Sequence, residues 1–377
     1  MKIVIASDSF KGSATSLEIA TYLESGIRRV IKEEDCEIVK VPIADGGEGT
    51  LETIQLIHNI KTINVSVLDP LQRVIQAQIG QLEEDTFIIE MAQASGITLL
   101  EDHELDPYKS TSYGTGQLIK HCLDLGAKKI IIGIGGSATN DGGMGLAQAL
   151  GIKFFDENNI ELPISGSSIL EVHRFDYTDI DKRIKDVSIT ILSDVTNPLC
   201  GLNGASHVFG PQKGLSKIDI ERFDKALYSF GKLINEELMN KEGAGAAGGV
   251  GFILQALFNG QLTSGVDEIL KLIEFEKIIE NADLIITGEG HLDSQSLGGK
   301  AITGILKYAQ HAHVPVIVIA GSIPNDLSKF YDVGFDLILS IINGIQSLQE
   351  AMTQVQSLVE NCGESIIRAY QLKERGK

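Results

Sequence analysis

The chain has 377 residues, 43% of them hydrophobic and 22% charged, which is long and apolar enough for more than one core, so two domains are expected. Its 51 acidic and 32 basic residues leave a formal charge of −19, which argues against a nucleic-acid partner, because affinity there comes from clustered Lys and Arg neutralising phosphates. No run approaches the roughly 18 apolar residues of a membrane span. The four cysteines, Cys36, Cys122, Cys200 and Cys362, form no C-x-x-C, and Ile3 to Ala6 is too short for a signal-peptide core; the expectation is a reduced, cytoplasmic protein, monomer or homodimer.

Ile3 to Ala6 is a β-rich run, after which Thr15 and Glu18 form a T-x-x-E capping box that opens a helix towards Arg29. Glu37 to Ile43 and Thr50 to His58 repeat the order of strand, loop and helix. Alternation and turn signals at Asn64 to Val67, Val74 to Gly80 and Thr86 to Met91 predict a mixed or antiparallel sheet from about residue 61. Lys128 to Leu150 reads as strand, glycine loop and helix, Ile152 to Leu162 as a hairpin about Glu157-Asn158-Asn159, and Val187 to Ser193 as a strand. Towards the end, Asp283 to Ile286, Val314 to Ala320 and Asp336 to Ile341 are short buried-type strands, with helical patterns at Ala301 to Gln310 and Leu348 to Val359. Both ends read as parallel α/β units. The expected fold is therefore two α/β domains: a discontinuous Rossmann-like parallel-sheet domain from residues 1–60 and 265–377, and a mixed-sheet α/β domain of residues 61–264 inserted into it. An insertion creates a cleft, where the active site is expected.

Four apolar runs stop at loops of glycine, small hydroxyls and acids: DSFKGS from Asp8, ADGGEGT from Ala44, GIGGSATNDGG from Gly133 and TGEGHLDSQ from Thr287. Glycine lets backbone N–H groups approach an anion, and a following helix presents its positive end, so these loops point to a small phosphorylated ligand. The P-loop pattern is absent, since Gly299-Lys300 is followed by Ala301 and lacks the upstream glycine; the protein-kinase H-R-D and D-F-G set is missing too. Gly133 to Ala138 fits G-x-G-x-x-A, with Asp156 beyond the next strand, which keeps an NAD(P)-dependent oxidoreductase in competition. Against it, Thr139 to Gly143 intervene before helical periodicity returns at Met144, whereas a dinucleotide turn runs straight into its helix. The second glycine run, Gly243 to Gly248, reads as a close-packed helix start or an anion-binding turn.

Lys11, Lys213 and Lys300 each adjoin a glycine, and could reach over a phosphate cradle or be solvated surface lysines. The acids Asp8, Asp45, Glu48, Asp141, Asp194, Glu289 and Asp293 fall where metal or proton-transfer chemistry could use them, although about half are expected to be structural turn and helix-start residues. Asp194 stands apart because it ends a strand and begins the turn DVTNPLCG, from which a carboxylate could accept a hydroxyl proton. The eight histidines show no metal pattern.

Taken together, KIVIASDSFKGS, VPIADGGEGT, TSYGTGQLI, IIIGIGGSATNDGGMGLAQALG, SDVTNPLCGLNGAS, VFGPQKG, GAGAAGGVG and DLIITGEGHLDSQSLGGK resemble, in order and from Lys2 to beyond Gly321, the bacterial glycerate kinases that are unrelated to P-loop kinases. Ser7 stands where that family usually shows proline, and His291 where arginine is common, which weakens any anion-binding role for position 291. The resemblance implies ATP-dependent phosphorylation of D-glycerate at the 2-hydroxyl, with the 3-hydroxyl as the alternative. It also implies a discontinuous and an inserted α/β domain with the site in their cleft. For such chemistry Gly135, Gly136, Ser137, Ala138, Thr139 and Asn140 are expected to cradle ATP phosphates. Lys11, Lys213 and Lys300 would supply positive charge, Asp45, Asp141 and Glu289 would hold Mg2+, and Asp194 would act as base. A non-catalytic sensor of a small sugar acid is the other rival.

Overall fold

The computed structural model describes residues 1–43, 46–47, 49–58, 60–298 and 301–375. Its strands in chain order are β1 (Lys2–Ser7), β2 (Glu37–Lys40), β3 (Lys61–Leu68), β4 (Val74–Gln81), β5 (Thr86–Glu90), β6 (Lys129–Gly133), β7 (Lys153–Phe155), β8 (Arg174–Asp176), β9 (Ser188–Leu192), β10 (Gln261–Thr263), β11 (Leu284–His291), β12 (Val316–Ser322) and β13 (Leu337–Ser340). The chain divides into a continuous unit, residues 45–265, and a discontinuous unit, residues 1–44 with 266–377. The first boundary thus falls at 44/45 rather than 60/61. The physical reason is the helix Thr50–Ile57, whose Leu51 fills the space left by Gly80 on β4; a Cβ there would lie 2.5 Å from Leu51 Cδ1.

The discontinuous unit holds a sheet in the order β13-β12-β11-β1-β2 with every pair parallel. A parallel sheet is covered on both faces, and Ile3, Val4, Ile5 and Ala6 are accordingly all buried. Ile3 and Ile5 join Ile19, Leu23 and Ile27 of helix Ser16–Arg28 and Leu358, Val359 and Ile366 of helix Val355–Arg375 in one core. The capping box forms: Thr15 Oγ1 accepts from the Glu18 N–H at 3.2 Å, and Glu18 Oε2 accepts from the Thr15 N–H at 2.8 Å. The single helix expected over Leu348 to Val359 is two, Leu348–Thr353 and Val355–Arg375, because Gln354 between them takes φ −98° and ψ 13°.

β11 runs on to His291, so Thr287 to His291 are strand and not loop. Gly288 is there for close approach: a Cβ would come 2.4 Å from the Ile319 carbonyl oxygen on β12. Numbered within the unit, the strand order is 2-1-3-4-5, reversing between β1 and β11. Open α/β sheets bind ligands at the carboxyl ends of the strands flanking such a reversal.

The continuous unit holds a sheet in the order β10-β9-β6-β5-β4-β3, in which β5, β6, β9 and β10 run parallel and β4 is antiparallel to both its neighbours, β3 and β5. One parallel and one mixed sheet is the architecture expected from the sequence. Phe87, Ile89, Ile130, Ile132 and Ile189 pack with Leu118, Leu146, Phe230 and Phe252 in its core. The turn predicted within Ile152 to Leu162 forms through Asp156 N–H to Ile160 O (3.0 Å) and Leu162 N–H to Phe154 O (2.8 Å). The main partner of β7 is nevertheless β8, with Phe154 opposite Phe175. A three-residue strand carries too little periodicity to stand out in the sequence.

Candidate active site

Three strands of the continuous unit end level with one another, since Glu90 of β5 is paired with Gly133 of β6 and Gly133 with Leu192 of β9. The chain beyond these ends carries the glycine loop after β6 and Asp194 after β9. Gly133 and Gly135 are glycines because another backbone lies on them: a Cβ on Gly133 would be 2.4 Å from Gly46 O, and one on Gly135 would be 2.6 Å from Gly47 Cα. Gly135 N–H also donates to Gly46 O at 3.2 Å. Gly136 is exposed and left-handed (φ 70°), and the N–H groups of Gly136 and Ser137 donate to no acceptor among the described residues. Successive backbone N–H groups around a left-handed residue form anion-binding concavities.

Lys213 lies behind this turn. It ends the short 3-10 segment Pro211–Lys213, and its Nζ donates to Ser137 Oγ and to Thr139 O, both at 2.7 Å. It is 2% exposed, so it is no surface lysine. Burial pulls its pKa from 10.5 down to about 7, with the Asp141 carboxylate acting the other way.

Of the six residues expected to form the cradle, Gly135 and Gly136 reach the surface and Ser137 lies at its edge, 6% exposed. Ala138, Thr139 and Asn140 are 1%, 0% and 0% exposed and belong to the interior, where Asn140 Nδ2 donates to Ser206 Oγ at 2.9 Å. Behind them is a turn of three successive left-handed residues, Ala247 (φ 54°), Gly248 (φ 67°) and Gly249 (φ 99°). Gly248 O accepts from Gly142 N–H at 2.9 Å, and a Cβ on Gly248 would lie 2.1 Å from Thr139 O. This second glycine run is therefore a close-packing element. We expect Gly248→Ala to destabilise the protein by about 2 to 4 kcal/mol through overpacking and left-handed strain. Its neighbour should do the reverse: Ala247→Gly relieves a left-handed alanine and should stabilise by about 0.5 to 1 kcal/mol. Thermal unfolding of the pair checks both signs.

Asp141 requires a correction. Its Oδ2 accepts from the Ser112 N–H (2.8 Å), Ser112 Oγ (2.8 Å), Thr111 Oγ1 (3.4 Å) and the Gly145 N–H (3.2 Å), and its Oδ1 from the Gly143 N–H (3.0 Å). Fully buried, with four donors on Oδ2 and one on Oδ1, its carboxylate is engaged inside the protein rather than presented at the surface to a metal, and it pins residues 111–112 to the end of the glycine loop. Among the described residues no group of three or more His, Cys, Asp and Glu could hold a metal ion. Asp45 and Lys300, with Glu48, lie outside the described residues.

Asp194 is half-buried just beyond β9, with Oδ1 accepting from the Gly265 N–H at 3.1 Å. The turn after it is held by Asn197, whose Nδ2 donates to Asn203 O at 2.8 Å. Glu289 and Lys11 belong to the discontinuous unit. Glu289 is on β11 and 8% exposed; Lys11 is exposed in the turn after β1, and that turn lies on the end of β11, since a Cβ on Gly290 would be 3.4 Å from Lys11 N. Both therefore sit at the strand reversal. Glu90, 3% exposed, was missed by the sequence reading, although an acid ending the buried run Thr86–Glu90 carries the same signal that singled out Asp194.

The dinucleotide reading loses its footing here. The helix Met144–Ala149 starts well after Ala138, and its early N–H groups are already taken, Gly145 by Asp141 and Leu146 by Ser112 Oγ at 3.0 Å. No helix end is left to face a pyrophosphate at this turn.

The profile of the glycerate kinase family matches residues 3–371. A protein of Halalkalibacterium halodurans named glycerate kinase is 42% identical over 370 residues, covering 97% of each chain. One of Escherichia coli K12 named glycerate 2-kinase is 43% identical over 356 residues, 93% of each. A crystal structure from Salmonella typhimurium LT2, of a protein given the name glycerate kinase 2, superimposes with a TM-score of 0.79 at 39% identity, covering 100% of this chain and 99% of that one.

Proposed function

The chain belongs to the glycerate kinase family, and from that premise we propose that it transfers the γ-phosphoryl group of ATP to the 2-hydroxyl of D-glycerate, giving 2-phosphoglycerate and ADP. The observation that carries the site assignment is the exposed Gly135-Gly136 turn at the end of β6 with the Lys213 ammonium buried behind it. Phosphoryl transfer asks little covalent work of a protein; it needs positioning and neutralisation of charge on the transferred group. In this reading the Gly136 and Ser137 N–H groups hold phosphate oxygens, and Lys213 adds positive charge from a water-poor site, where it acts more strongly than in solvent.

Asp194 takes the proton of the glycerate hydroxyl as its oxygen bonds to the γ-phosphorus and the bond from that phosphorus to the β–γ bridging oxygen breaks, releasing ADP. Its placement supports this role: it follows β9 by two residues, as Gly135 follows β6, from a paired row. Bound together with the nucleotide, magnesium would supply charge neutralisation on the phosphates; Asp141, buried and already engaged by five donors, is not assigned to hold it. On the discontinuous unit, Lys11 remains a candidate for an anionic group and Glu289 for a polar one. The expectation of a cytoplasmic enzyme is part of this proposal; no helix among the described residues is long and apolar enough to cross a membrane.

Purified protein with magnesium, ATP and D-glycerate should release ADP, with L-glycerate and no-acceptor controls near background and an NMR spectrum of 2-phosphoglycerate. ADP release independent of glycerate, or a product phosphorylated on the 3-hydroxyl, would overturn the acceptor or the regiochemistry respectively.

A further inference from the structure

Glu90 ends β5 directly beside Gly133, yet its carboxylate serves another segment. Oε1 accepts from the Leu51 N–H at 2.5 Å, and Oε2 from Gln93 Nε2 at 3.0 Å; Gln93 is itself held, its Oε1 accepting from the Gln78 N–H on β4 at 2.8 Å. Leu51 is the second residue of helix Thr50–Ile57, where a carboxylate both satisfies an end N–H and complements the positive end of the helix. One residue earlier, Thr50 Oγ1 donates to Gly47 O at 2.9 Å. Gly47 in turn lies against Gly135, and Gly46 O receives the Gly135 N–H. A chain of short contacts thus runs from Glu90 through Leu51, Thr50 and Gly47 to the turn assigned to phosphate.

We infer that Glu90 is a positioning residue that clamps the first turn of helix Thr50–Ile57 and thereby fixes the height of Gly46-Gly47 on Gly133–Gly135, keeping the Gly136 and Ser137 N–H groups aimed at the phosphate. The inference rests on the proposed role of that turn. It also explains how a carboxylate is tolerated on a strand adjacent to an anion site: it is turned into a helix end, where its charge is offset. The required property is an acceptor of the right reach, and the negative charge itself is secondary.

The test uses the full-length enzyme, Mg-ATP and D-glycerate, with steady-state kinetics and amide hydrogen exchange over residues 49–54. Glu90→Ala should raise the KM for ATP about tenfold or more with kcat within about threefold, the signature of a lost binding geometry. Exchange at Leu51 and its neighbours should accelerate in the same variant. Glu90→Gln keeps an acceptor for the Leu51 N–H but sets its amide NH2 against Gln93 Nε2, so its KM should rise clearly less than that of Glu90→Ala. Glu90→Asp keeps the charge but is one methylene shorter, and should behave like the alanine variant; it also serves if the alanine variant fails to fold. Wild-type KM in Glu90→Asp or Glu90→Ala, or equal losses in Glu90→Gln and Glu90→Ala, would overturn the inference. Gly136→Ala tests the underlying reading separately: if that change leaves the ATP KM untouched, the turn is not the phosphate site, whatever the exchange data say of Glu90.

Discussion

Asp194→Asn should lower kcat by about 10²- to 10⁴-fold, the range that a positioned general base contributes. The change is nearly isosteric and preserves an oxygen for the Gly265 N–H, so folding and thermal stability should hardly move. What is lost is the destination of the hydroxyl proton: an amide oxygen is far less basic than a carboxylate, so the attacking oxygen would have to carry its proton further into the transition state. The KM for ATP should change little, because the side chain is assigned to the acceptor and not to the phosphates. Turnover within about threefold of wild type in a folded Asp194→Asn protein would remove Asp194 from the chemistry.

Lys213→Met should reduce kcat/KM for ATP by about 10²- to 10³-fold, in line with the loss of one preorganised charge-stabilising donor. Its stability effect has a pH signature. The folded-state pKa of about 7 lies below the ordinary 10.5, so between those values the unfolded chain holds a proton that the folded chain has released. Stability contributed through this group therefore rises with pH across that window; below about pH 7 both states are protonated and the cost of burying the ammonium is fully present. Lys213→Met should flatten this rise and narrow the stability gap to wild type towards low pH. The comparison is one of denaturation midpoints at pH 6.5 and 9.5. Unaltered kinetics would return Lys213 to a purely structural role, and an unaltered pH slope would mean that its two acceptors, Ser137 Oγ and Thr139 O, keep it charged despite burial.

Much of the framework was legible because its signals are local. The Thr15–Glu18 box, the apolar run Ile3–Ala6 within β1 and the glycines after β6 each declare themselves within a few residues. What was not legible depends on partners distant in the chain. Gly288 reads as a loop residue until Ile319 is seen against it, at which point it is a strand residue giving way to a neighbouring backbone. Asp141, in its glycine loop, reads in sequence as one more acid at hand for metal or proton-transfer chemistry. What the sequence does not show is that N–H and O–H groups converge on its carboxylate, and two of the donor residues, Thr111 and Ser112, come from about thirty positions earlier. Lys213 is the same case reversed, since a lysine before a glycine reads as a solvated turn until the loop it supports is in place.

The discontinuous unit also constrains the order in which the chain can fold as it is made. β1 is an interior strand of its sheet, yet the partner on one side, β11, is far away: the Lys2 N–H donates to Asp283 Oδ2 across 281 residues. At about 5 to 20 residues per second, the apolar face of β1 must wait roughly a quarter of a minute to a minute after leaving the ribosome before that partner emerges. The continuous unit has no such delay, because every strand of its six-stranded sheet lies within residues 45–265. It can complete its core first and hold the amino-terminal segment as a tethered, unfinished sheet.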